Sequence, residues 1–568
     1  MTMAPAMAAA ADVVGTLLGC GVTDFVVCPG ARSQALALTV AALAETGDVR
    51  LHVRIDERAA GFLALGLAIE SGRPAPVITT SGSAVANLLP AITEAHHANV
   101  PMIALTADRP ARLRGTGANQ TTIQPGMFAA FVRWECDVAP PTSDATGHAG
   151  DSAEIAQKAW NAATSGEPGP VHVNLQFVEP LSSAADGLVI ERARAARASV
   201  AAGGVVAKAA RQDGATAETH VVLESGPRTI VIAGADAGER AEEVAHNGAW
   251  PLIAEVSSGA RFGRNLVVHY RDALTDPDLG GLVERAIVFG HPTLSRQVAA
   301  LIERADVEIV RLGARDEVSV AGHAGDSDDQ PESVEWLRTW QRWDRAAQAQ
   351  HDALMAQESP AARAPDVDTS RVRSAAAQRE FVNGELAAAR APITRELLVS
   401  AVCRVTWPHD RLVFGASRLI RVADATLPGK KISVHANRGL SGIDGNIGTG
   451  IGIALAAEPA LTRVLLGDVA ALHDAGSMLF PVGEARPRIQ VIVGNDGGGS
   501  IFDQLEVAAT ADANAFDRVM FTPQDARFEH LALAYGWRHV RVSTMGELEA
   551  ALIGAGDGPE LIEVVLER

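Results

Sequence analysis

The chain has 568 residues, a length that accommodates roughly three or four domains of ordinary size. Its 49 Lys and Arg against 68 Asp and Glu give a net charge of −19, which argues against nucleic-acid and anionic-membrane partners. The four cysteines lack CxxC spacing, which indicates a reducing cytoplasm, and no apolar run is long enough for membrane insertion.

Apolar, strand-like runs alternate with helical patterns in the first part of the chain. The runs are DFVV at 24–27, LHVRI at 51–55, PVITT at 76–80, MIALT at 102–106 and VHVNLQF at 171–177. This alternation is typical of a parallel sheet with helices on both faces. We therefore predict a first domain over 1–185. The Ala- and Arg-rich segment 186–220 has no strand signal and is predicted to be a linker.

Two further α/β domains are predicted downstream. The runs TIVIAG, PLIAEV, RAIVFG and VEIVRLG indicate a central domain over 221–355, and a linker of helical spacing follows at 356–390. The last domain, 391–568, repeats the alternation with RLVFGAS, KISVHAN, TRVLLGD, IQVIVGN and LIEVVLE. The predicted fold class is α/β, with three doubly wound parallel-sheet domains. The glycine turn in VIAGADAGER is weak evidence for a nucleotide, and we predict no flavin.

Two Gly/Asp clusters in the last domain each follow an apolar strand directly. Asp468 in GDVAALHD and Asp496 in VIVGNDGGGSIF are 28 positions apart, about one strand–helix–strand crossover. Their carboxylates are therefore expected at neighbouring strand ends, where a backbone carbonyl and a diphosphate would complete a magnesium shell. Each cluster alone is more often only a turn, but the pair favours a metal–diphosphate site.

This pair resembles the signature of thiamine-diphosphate-dependent enzymes, with Val469 and Asp496 where glycine and asparagine are usual. The resemblance implies a thiamine-diphosphate-binding fold whose three domains are pyrimidine-binding, central and diphosphate-binding. It also implies Mg²⁺, or Mn²⁺, on Asp468, Asp496 and Gly498. Glu57, in RIDERAAGFLALGLA, is implied to activate the aminopyrimidine of the cofactor, although an isolated glutamate is more commonly a surface or capping residue.

Within these enzymes, several stretches are similar to the 2-succinyl-5-enolpyruvyl-6-hydroxy-3-cyclohexene-1-carboxylate (SEPHCHC) synthase family of menaquinone biosynthesis. They are CPGARS at 28–33, HVRIDERAAGFLALGLA at 52–68, TSGSAVANLLPA at 80–91, LTADRP at 105–110, GANQTTIQPGMF at 117–128, NRGLSGIDG at 437–445 and NDGGGSIF at 495–502. The similarity covers the first and third domains well and the middle poorly. It implies decarboxylation of 2-oxoglutarate and addition of the carbanion equivalent to isochorismate.

The resemblance assigns substrate binding to Arg32, Ser33, Arg109, Asn119, Gln120, Arg421 and Arg438, and Arg418 is less favoured than Arg421. It assigns cofactor binding to Pro29, Gly30, Glu57, Ser81, Gly82, Ser417, Ile443, Gly467, Asp468, Asn495, Gly498, Ile501 and Phe502. Arginine forks suit the carboxylates of both substrates, although each arginine taken singly is as often a solvated charge. Ala31 replaces the usual family serine, which implies one lost substrate hydrogen bond, worth about 1 kcal/mol.

The family places its cofactor between subunits, so the resemblance implies a homodimer or a dimer of dimers. His96 and His97 lie late on a predicted helix, where a structural role is expected, and this placement argues against a simple decarboxylase. The alternatives are an acetohydroxyacid synthase or 2-oxoacid decarboxylase of the same superfamily, and a catalytically silent binding subunit. A nicotinamide-binding enzyme is disfavoured because no strand is followed by GxGxxG.

Overall fold

The computed structural model describes residues 3–141, 149–184, 186–202, 221–223, 226–313, 316, 318–320, 331–358 and 375–568. The chain divides into two compact units. Unit 1 comprises Met1–Ala217, Asn437–Pro459 and His473–Pro487, and unit 2 comprises Glu218–Ala436, Ala460–Leu472 and Arg488–Arg568. Among the described helices, none combines the length and the apolar character needed to cross a membrane.

The strands are β1 (Asp24–Val27), β2 (Arg50–Val53), β3 (Ala75–Thr79), β4 (Met102–Asp108), β5 (Glu135–Val138), β6 (Pro170–Gln176), β7 (Val221–Leu223), β8 (Thr229–Ala233), β9 (Leu252–Ala254), β10 (Arg285–Phe289), β11 (Glu308–Leu312), β12 (Val318–Val320), β13 (Arg411–Phe414), β14 (Ser433–Ala436), β15 (Thr462–Gly467), β16 (Ile489–Asn495), β17 (Arg538–Val542) and β18 (Glu560–Val565).

The α-helices are α1 (Pro5–Gly19), α2 (Gln34–Glu45), α3 (Glu57–Ser71), α4 (Ser83–Ala86), α5 (Leu89–His97), α6 (Ala149–Thr164), α7 (Asp186–Ala202), α8 (Arg240–Asn247), α9 (Tyr270–Thr275), α10 (Arg296–Ile302), α11 (Pro331–Glu358), α12 (Ala375–Arg390), α13 (Arg395–Val405), α14 (Arg418–Thr426), α15 (Asn446–Ala457), α16 (Asp468–His473), α17 (Glu506–Thr510), α18 (Ala513–Phe516), α19 (Phe528–Ala534) and α20 (Met545–Ile553).

The first and third sheets have the same topology. The first sheet has the order β2-β1-β3-β4-β6-β5 and the third β14-β13-β15-β16-β18-β17, which is 2-1-3-4-6-5 in both when the strands are counted from the first of each sheet. All pairings between these strands are parallel. This confirms the predicted α/β class. Because the order reverses between the first and third strands, each sheet has a topological switch point where open α/β sheets bind ligands.

The central segment of unit 2 contains two smaller parallel sheets. Four strands have the order β11-β10-β8-β9, and the three-residue strands β7 and β12 pair with each other. Asp424, on α14, is fully buried and joins this segment to the third sheet's layer of helices. It accepts hydrogen bonds from the Val256 amide at 2.8 Å and the Tyr270 hydroxyl at 2.6 Å. A buried carboxylate needs such donors to offset its desolvation.

Helices α3 and α15 cross within unit 1, and small residues set how closely they approach. A Cβ atom on Gly66 would collide with the Thr449 carbonyl, and one on Gly452 with the Leu63 carbonyl. Asp56 fixes the start of α3, because its carboxylate accepts the amide protons of Arg58 and Ala59 at 2.9 and 3.2 Å. This cap determines where the first helical residue, Glu57, is placed.

The predicted linkers contain helices in the structure. Residues 186–202 form α7, and its Ala193 is fully buried against Gly15 of α1. Residues 203–220 lie outside the described part of the chain, as do 359–374 of the second predicted linker. The remainder of that linker is largely α12. The predicted domain boundaries remain predictions.

Candidate active site

Two predicted cofactor loops lie at the switch point of the first sheet. Pro29 and Gly30 follow β1, and Ser81 and Gly82 follow β3, the neighbouring strand. The loops touch, because a Cβ atom on Gly30 would collide with the Thr80 side chain. Gly82 has a φ of +85°, a conformation that favours glycine. Both loops therefore present backbone groups at the sheet edge where ligands bind.

Two of the predicted substrate arginines meet beside these loops. Burial, followed by the nearby Arg109 charge, lowers the pKa of Arg32, whose Nη1 donates to the Phe177 carbonyl at 3.3 Å. The Arg109 Nη1 donates to the Ser81 Oγ and to the Gln120 carbonyl, both at 3.3 Å. Two neighbouring guanidinium groups create a local positive potential that attracts an anion.

The other polar residues predicted for this region differ in their exposure. Asn119 and Gln120 are exposed, and the Gln120 Nε2 donates to the Ser81 carbonyl at 3.1 Å. Ser33 is fully buried, and its hydroxyl donates to the Gly30 carbonyl at 3.2 Å. Ala31, which stands where the family has a serine, is exposed. The Ser33 side chain thus stabilises the loop after β1, whereas the side chains of Asn119 and Gln120 are accessible to solvent.

Glu57 is half-buried at the first position of α3. Its Oε2 accepts a hydrogen bond from the Asn87 side chain at 3.2 Å. The next residue, Arg58, lies 3.5 Å from Asp444, which follows Ile443 in the chain. Unit 1 therefore brings the predicted catalytic glutamate close to the segment that carries the predicted apolar support for the cofactor.

Arg438 is held next to a buried carboxylate. Glu94, on α5, is 3% exposed and accepts the backbone amides of Gly439 and Leu440 at 2.7 and 2.8 Å. Burial raises the pKa of Glu94, while those two amides and the charges of Arg438 and His97 act in the opposite direction. Arg438 is itself 7% exposed. Glu94 therefore fixes the backbone on the C-terminal side of this predicted substrate residue.

Two predicted metal ligands follow neighbouring strands beside the switch point of the third sheet, Asp468 after β15 and Asp496 after β16. Asp468 begins α16 directly after β15, and Ser417 follows β13, so close that a Cβ atom on Gly467 would lie 3.4 Å from the Ser417 Cβ. The Asp468 Oδ1 accepts the Val469 amide at 2.7 Å. Burial, and next the charge of Asp496, raise the pKa of Asp468 to about 7, against the opposing effect of the Val469, Gly498 and Gly497 amides.

The second carboxylate is paired. The Asp496 Oδ2 accepts from the Arg395 Nη2 at 2.6 Å and from the Ser500 hydroxyl. The Asp468 Oδ2, in contrast, is buried without a hydrogen bond of acceptable geometry to any described residue. An orphaned carboxylate oxygen beside a second carboxylate fits a divalent cation with oxygen ligands. Among the described residues no group of three or more His, Cys, Asp or Glu side chains could hold a metal ion.

The remaining predicted cofactor residues surround this carboxylate pair. The Asn495 Nδ2 donates to Glu563 at 2.8 Å, and its Oδ1 accepts the Gly497 amide at 3.2 Å. Gly498 packs below Phe521, where a Cβ atom would lie 2.5 Å from the Phe521 carbonyl oxygen. Ile501 and Phe502 are half-buried in a 3₁₀ turn, Ser500–Gln504. The glycine-rich loop is thus shaped for close backbone approach.

The arginines of α14 belong to unit 2. Arg421 is exposed, and its pKa is lowered by partial burial and by the charges of Arg271 and Arg296. The pKa of Arg418 is lowered by burial and by Arg395. Arg32, Arg109 and Arg438 are residues of unit 1.

The predicted position of His96 at a helix end is confirmed, because His96 lies in the last turn of α5. Its Nδ1 bonds with the Phe131 carbonyl at 2.8 Å, and burial lowers its pKa. The sequence interpretation missed three buried polar residues below the loops, namely Glu94, Gln124 and Asn174. For Asn174 the available signal was the alternation of polar and apolar residues in VHVNLQF.

Comparisons with known proteins agree with this geometry. Residues 7–127 match the thiamine pyrophosphate enzyme, N-terminal TPP binding domain family, and residues 423–564 match the corresponding C-terminal TPP binding domain family. The 2-succinyl-5-enolpyruvyl-6-hydroxy-3-cyclohexene-1-carboxylate synthase of Leifsonia xyli subsp. xyli is 50% identical, across 99% of this chain and 97% of the relative. The synthase of the same name from Clavibacter michiganensis subsp. michiganensis is 52% identical across 96% and 94%, and that from Nocardioides sp. is 40% identical across 99% and 95%.

Proposed function

The chain belongs to the SEPHCHC synthase family of thiamine-diphosphate enzymes, and on this premise we propose that it decarboxylates 2-oxoglutarate and joins the four-carbon fragment to isochorismate. The products would be SEPHCHC and carbon dioxide, for menaquinone biosynthesis. The reaction forms a carbon–carbon bond by group transfer, so the enzyme is a transferase.

The observation that carries the substrate assignment is the arginine pair of unit 1. Arg32 and Arg109 lie close enough for the charge of one to lower the pKa of the other, beside the exposed side chain of Gln120. Both proposed substrates carry two carboxylates, which guanidinium forks bind bidentately. In a chain of net charge −19, such a local cluster is needed to bind dianions. Arg421 and Arg438 are proposed to contribute further carboxylate contacts.

Thiamine diphosphate, when bound, supplies the electron sink that a 2-oxo acid needs to lose carbon dioxide and form a new carbon–carbon bond. Glu57 would share a proton with the aminopyrimidine ring through a hydrogen bond. Its position supports this role, because Glu57 is half-buried and the start of α3 is fixed. Ile443 would support the cofactor from below, and Ile501 and Phe502 would exclude water beside it.

Asp468, Asp496 and the Gly498 carbonyl are proposed to hold Mg²⁺ against the diphosphate. Two observations support this assignment: the Asp468 Oδ2 is buried without a hydrogen-bonding partner among the described residues, and the Asp496 charge adds to burial in raising the pKa of Asp468. A divalent cation would satisfy the orphaned oxygen and remove the repulsion between the carboxylates.

We propose a homodimer, or a dimer of dimers, in the cytoplasm. The family resemblance supports the assembly, and the four free cysteines, Cys20, Cys28, Cys136 and Cys403, support a reducing compartment. The alternative functions, acetohydroxyacid synthase and simple 2-oxoacid decarboxylase, are not favoured. His96 lies in the last turn of α5 with its Nδ1 bonded to the Phe131 carbonyl, a placement that supports a structural role over that of the proton donor in aldehyde release.

The test is the loss of isochorismate absorbance with purified protein, 2-oxoglutarate, thiamine diphosphate and Mg²⁺. Glu57→Gln should abolish the loss, and Arg109→Ala should raise the KM for 2-oxoglutarate. Arg338→Ala is the matched control, because Arg338 is a 63% exposed arginine on α11 whose partner is an i,i+3 glutamate.

Persistence of isochorismate while 2-oxoglutarate or pyruvate still loses carbon dioxide would refute the acceptor assignment and leave the cofactor assignment standing. Full activity of Glu57→Gln would refute the role of Glu57. A change in Arg338→Ala as large as that in Arg109→Ala would show that general surface charge, rather than the arginine pair, governs substrate binding.

A further inference from the structure

Gln124 is a fully buried glutamine within the stretch GANQTTIQPGMF. Its Oε1 accepts the Gly82 amide at 3.0 Å, and its Nε2 donates to the Ala107 carbonyl at 3.2 Å and to the Asn174 Oδ1 at 2.7 Å. All hydrogen-bonding groups of the amide except one acceptor lone pair are thus engaged.

These bonds join three segments that each carry predicted site residues. Gly82 belongs to the turn after β3, Ala107 is two residues before Arg109 at the end of β4, and Gln124 itself follows Gln120 in its loop. The Arg109 guanidinium lies within this arrangement, because it donates to the Ser81 Oγ and to the Gln120 carbonyl. Gln124 bonds directly to neither acceptor of Arg109, but it connects the segments that carry them, because Ser81 precedes Gly82 and Gln120 lies in the loop of Gln124 itself.

The network behind Gln124 determines the direction of its amide. The Asn174 Nδ2 donates to the carboxylates of Asp108 at 3.1 Å and Asp137 at 2.8 Å, so its Oδ1 must face the other way. That oxygen accepts from Gln124, and the Gln124 oxygen is consequently directed at Gly82. Only a group with both a donor and an acceptor can stand between Asn174 and Gly82.

We propose that Gln124 is a positioning residue, which acts through Arg109 to set the affinity of the active site for the carboxylate of its substrate. The inference rests on the proposed function, since it takes Arg109 as the carboxylate ligand. Loss of the Gln124 amide would leave the Gly82 amide unpaired, whereas the Asn174 oxygen would keep its hydrogen bond from the Thr106 hydroxyl at 2.9 Å. The Gln120 loop would then be held to the turn after β3 by the bonds between Gln120 and Ser81, so that it can shift and displace the acceptors of Arg109.

The test is a double-mutant cycle of Gln124→Met and Arg109→Ala. The readouts are the KM for 2-oxoglutarate in isochorismate consumption and the dissociation constant of the non-reacting dicarboxylate succinate for the holoenzyme, measured by calorimetry. We expect Gln124→Met to raise both about tenfold, with a smaller change in kcat. In the Arg109→Ala background the same substitution should change them less than about twofold, because the positioned group is gone.

Gln490→Met is the matched control for a purely structural effect. Gln490 is 1% exposed and donates to the Ala551 carbonyl and to Glu560, so its replacement also removes two buried hydrogen bonds. It should lower the unfolding temperature comparably and leave succinate binding unchanged. The proposal is overturned if Gln124→Met raises the KM and the succinate dissociation constant by the same factor in the native and the Arg109→Ala backgrounds. It is also overturned if Gln124→Met binds succinate as the native protein does at temperatures below the unfolding temperature of the variant.

Gln124→Glu provides a readout that a structural role alone would not move. Its ionised form presents an acceptor to the acceptors Ala107 and Asn174, whereas its protonated form regains one donor. The succinate affinity of Gln124→Glu, divided by that of Gln124→Met at the same pH, should therefore increase as the pH falls. A ratio that does not change with pH contradicts the proposal. If the native protein binds succinate but leaves isochorismate intact, the proposed function fails while the cycle on succinate still decides the role of Gln124. If it does not bind succinate, both fail.

Discussion

Gly445, the N-cap residue directly before α15, cannot be replaced without disturbing the crossing of α15 and α3. It has a φ of +61°, and a Cβ atom there would collide with the ring of Phe62. We expect Gly445→Ala to lower the free energy of unfolding of unit 1 by about 2–5 kcal/mol. Of this, about 1–2 kcal/mol reflects the left-handed backbone and about 1–3 kcal/mol the overpacking.

Gly72→Ala separates the two contributions. Gly72 follows the last residue of α3 and has a φ of +66°. Apart from Gly72 itself and its chain neighbours, no heavy atom of the described residues lies within 4 Å of a Cβ atom placed there, so only the backbone contribution applies. Hydrogen exchange of peptides from α3 and α15 measures the stability of this region specifically. In a Phe62→Ala background, the cost of Gly445→Ala should fall to the Gly72→Ala value. Equal costs for the two glycine substitutions in the native background would refute the collision argument.

Three further predictions follow from single buried carboxylates. Asp468→Asn should raise the Mg²⁺ concentration needed for half-maximal cofactor binding, as measured by magnesium titration. The increase should exceed the roughly 10–100-fold loss of metal affinity that is typical when a residue outside the ligand set is replaced. Glu94→Gln replaces one of the two acceptors of the Gly439 and Leu440 amides with a donor, and should speed hydrogen exchange of that loop by about 10–100-fold. Burial raises the pKa of Asp474 from 3.8 to about 6, so ionisation opposes folding; stability should decrease as pH rises from about 4 to 6, by roughly 3 kcal/mol. Asp474→Asn should abolish that slope in denaturant unfolding at each pH.

Long apolar runs made the parallel sheets predictable from the sequence, and short or half-buried elements were missed. The strands β4 and β6 are both buried along their whole length. Strand β4 begins with the apolar run MIAL, whereas in β6 apolar residues alternate with His172, Asn174 and Gln176. Strand β17, RHVRV, contains two exposed arginines, Arg538 and Arg541, which interrupt any apolar pattern. Strands β7 and β12 have three residues each, too few for a periodic signal. Helix α7 was interpreted as linker because alanine and arginine fit both states, and its burial depends on the contact with α1.

The site residues divide in the same way. Residues predicted to contact a ligand directly, such as Glu57 and Asp468, occur in compact motifs after strands. The spacing of two Gly/Asp clusters indicated Asp468, and resemblance to a family motif indicated Glu57. Glu94 and Gln124 act on neighbouring backbone amides that are distant in the sequence, for example from Glu94 to Gly439. No local pattern specifies such a pair, because the contact exists only after the helices and loops have packed.

The residues packed beneath the Arg109 loop are buried and polar, and their hydrogen bonds fix the orientation of their neighbours. Asp108 is fully buried, and Arg114 binds it at 2.7 Å and Asp137 at 2.7 Å, with Asn174 between the two carboxylates. Apolar side chains of the same volume would stabilise the fold comparably, because the desolvation cost of buried charges is about as large as the free energy gained by pairing them. Apolar side chains would not orient their neighbours, since hydrophobic contact is non-directional whereas each hydrogen bond fixes an angle. We infer that the network is suited to orienting Gln124, and through it Arg109, rather than to stabilising the fold.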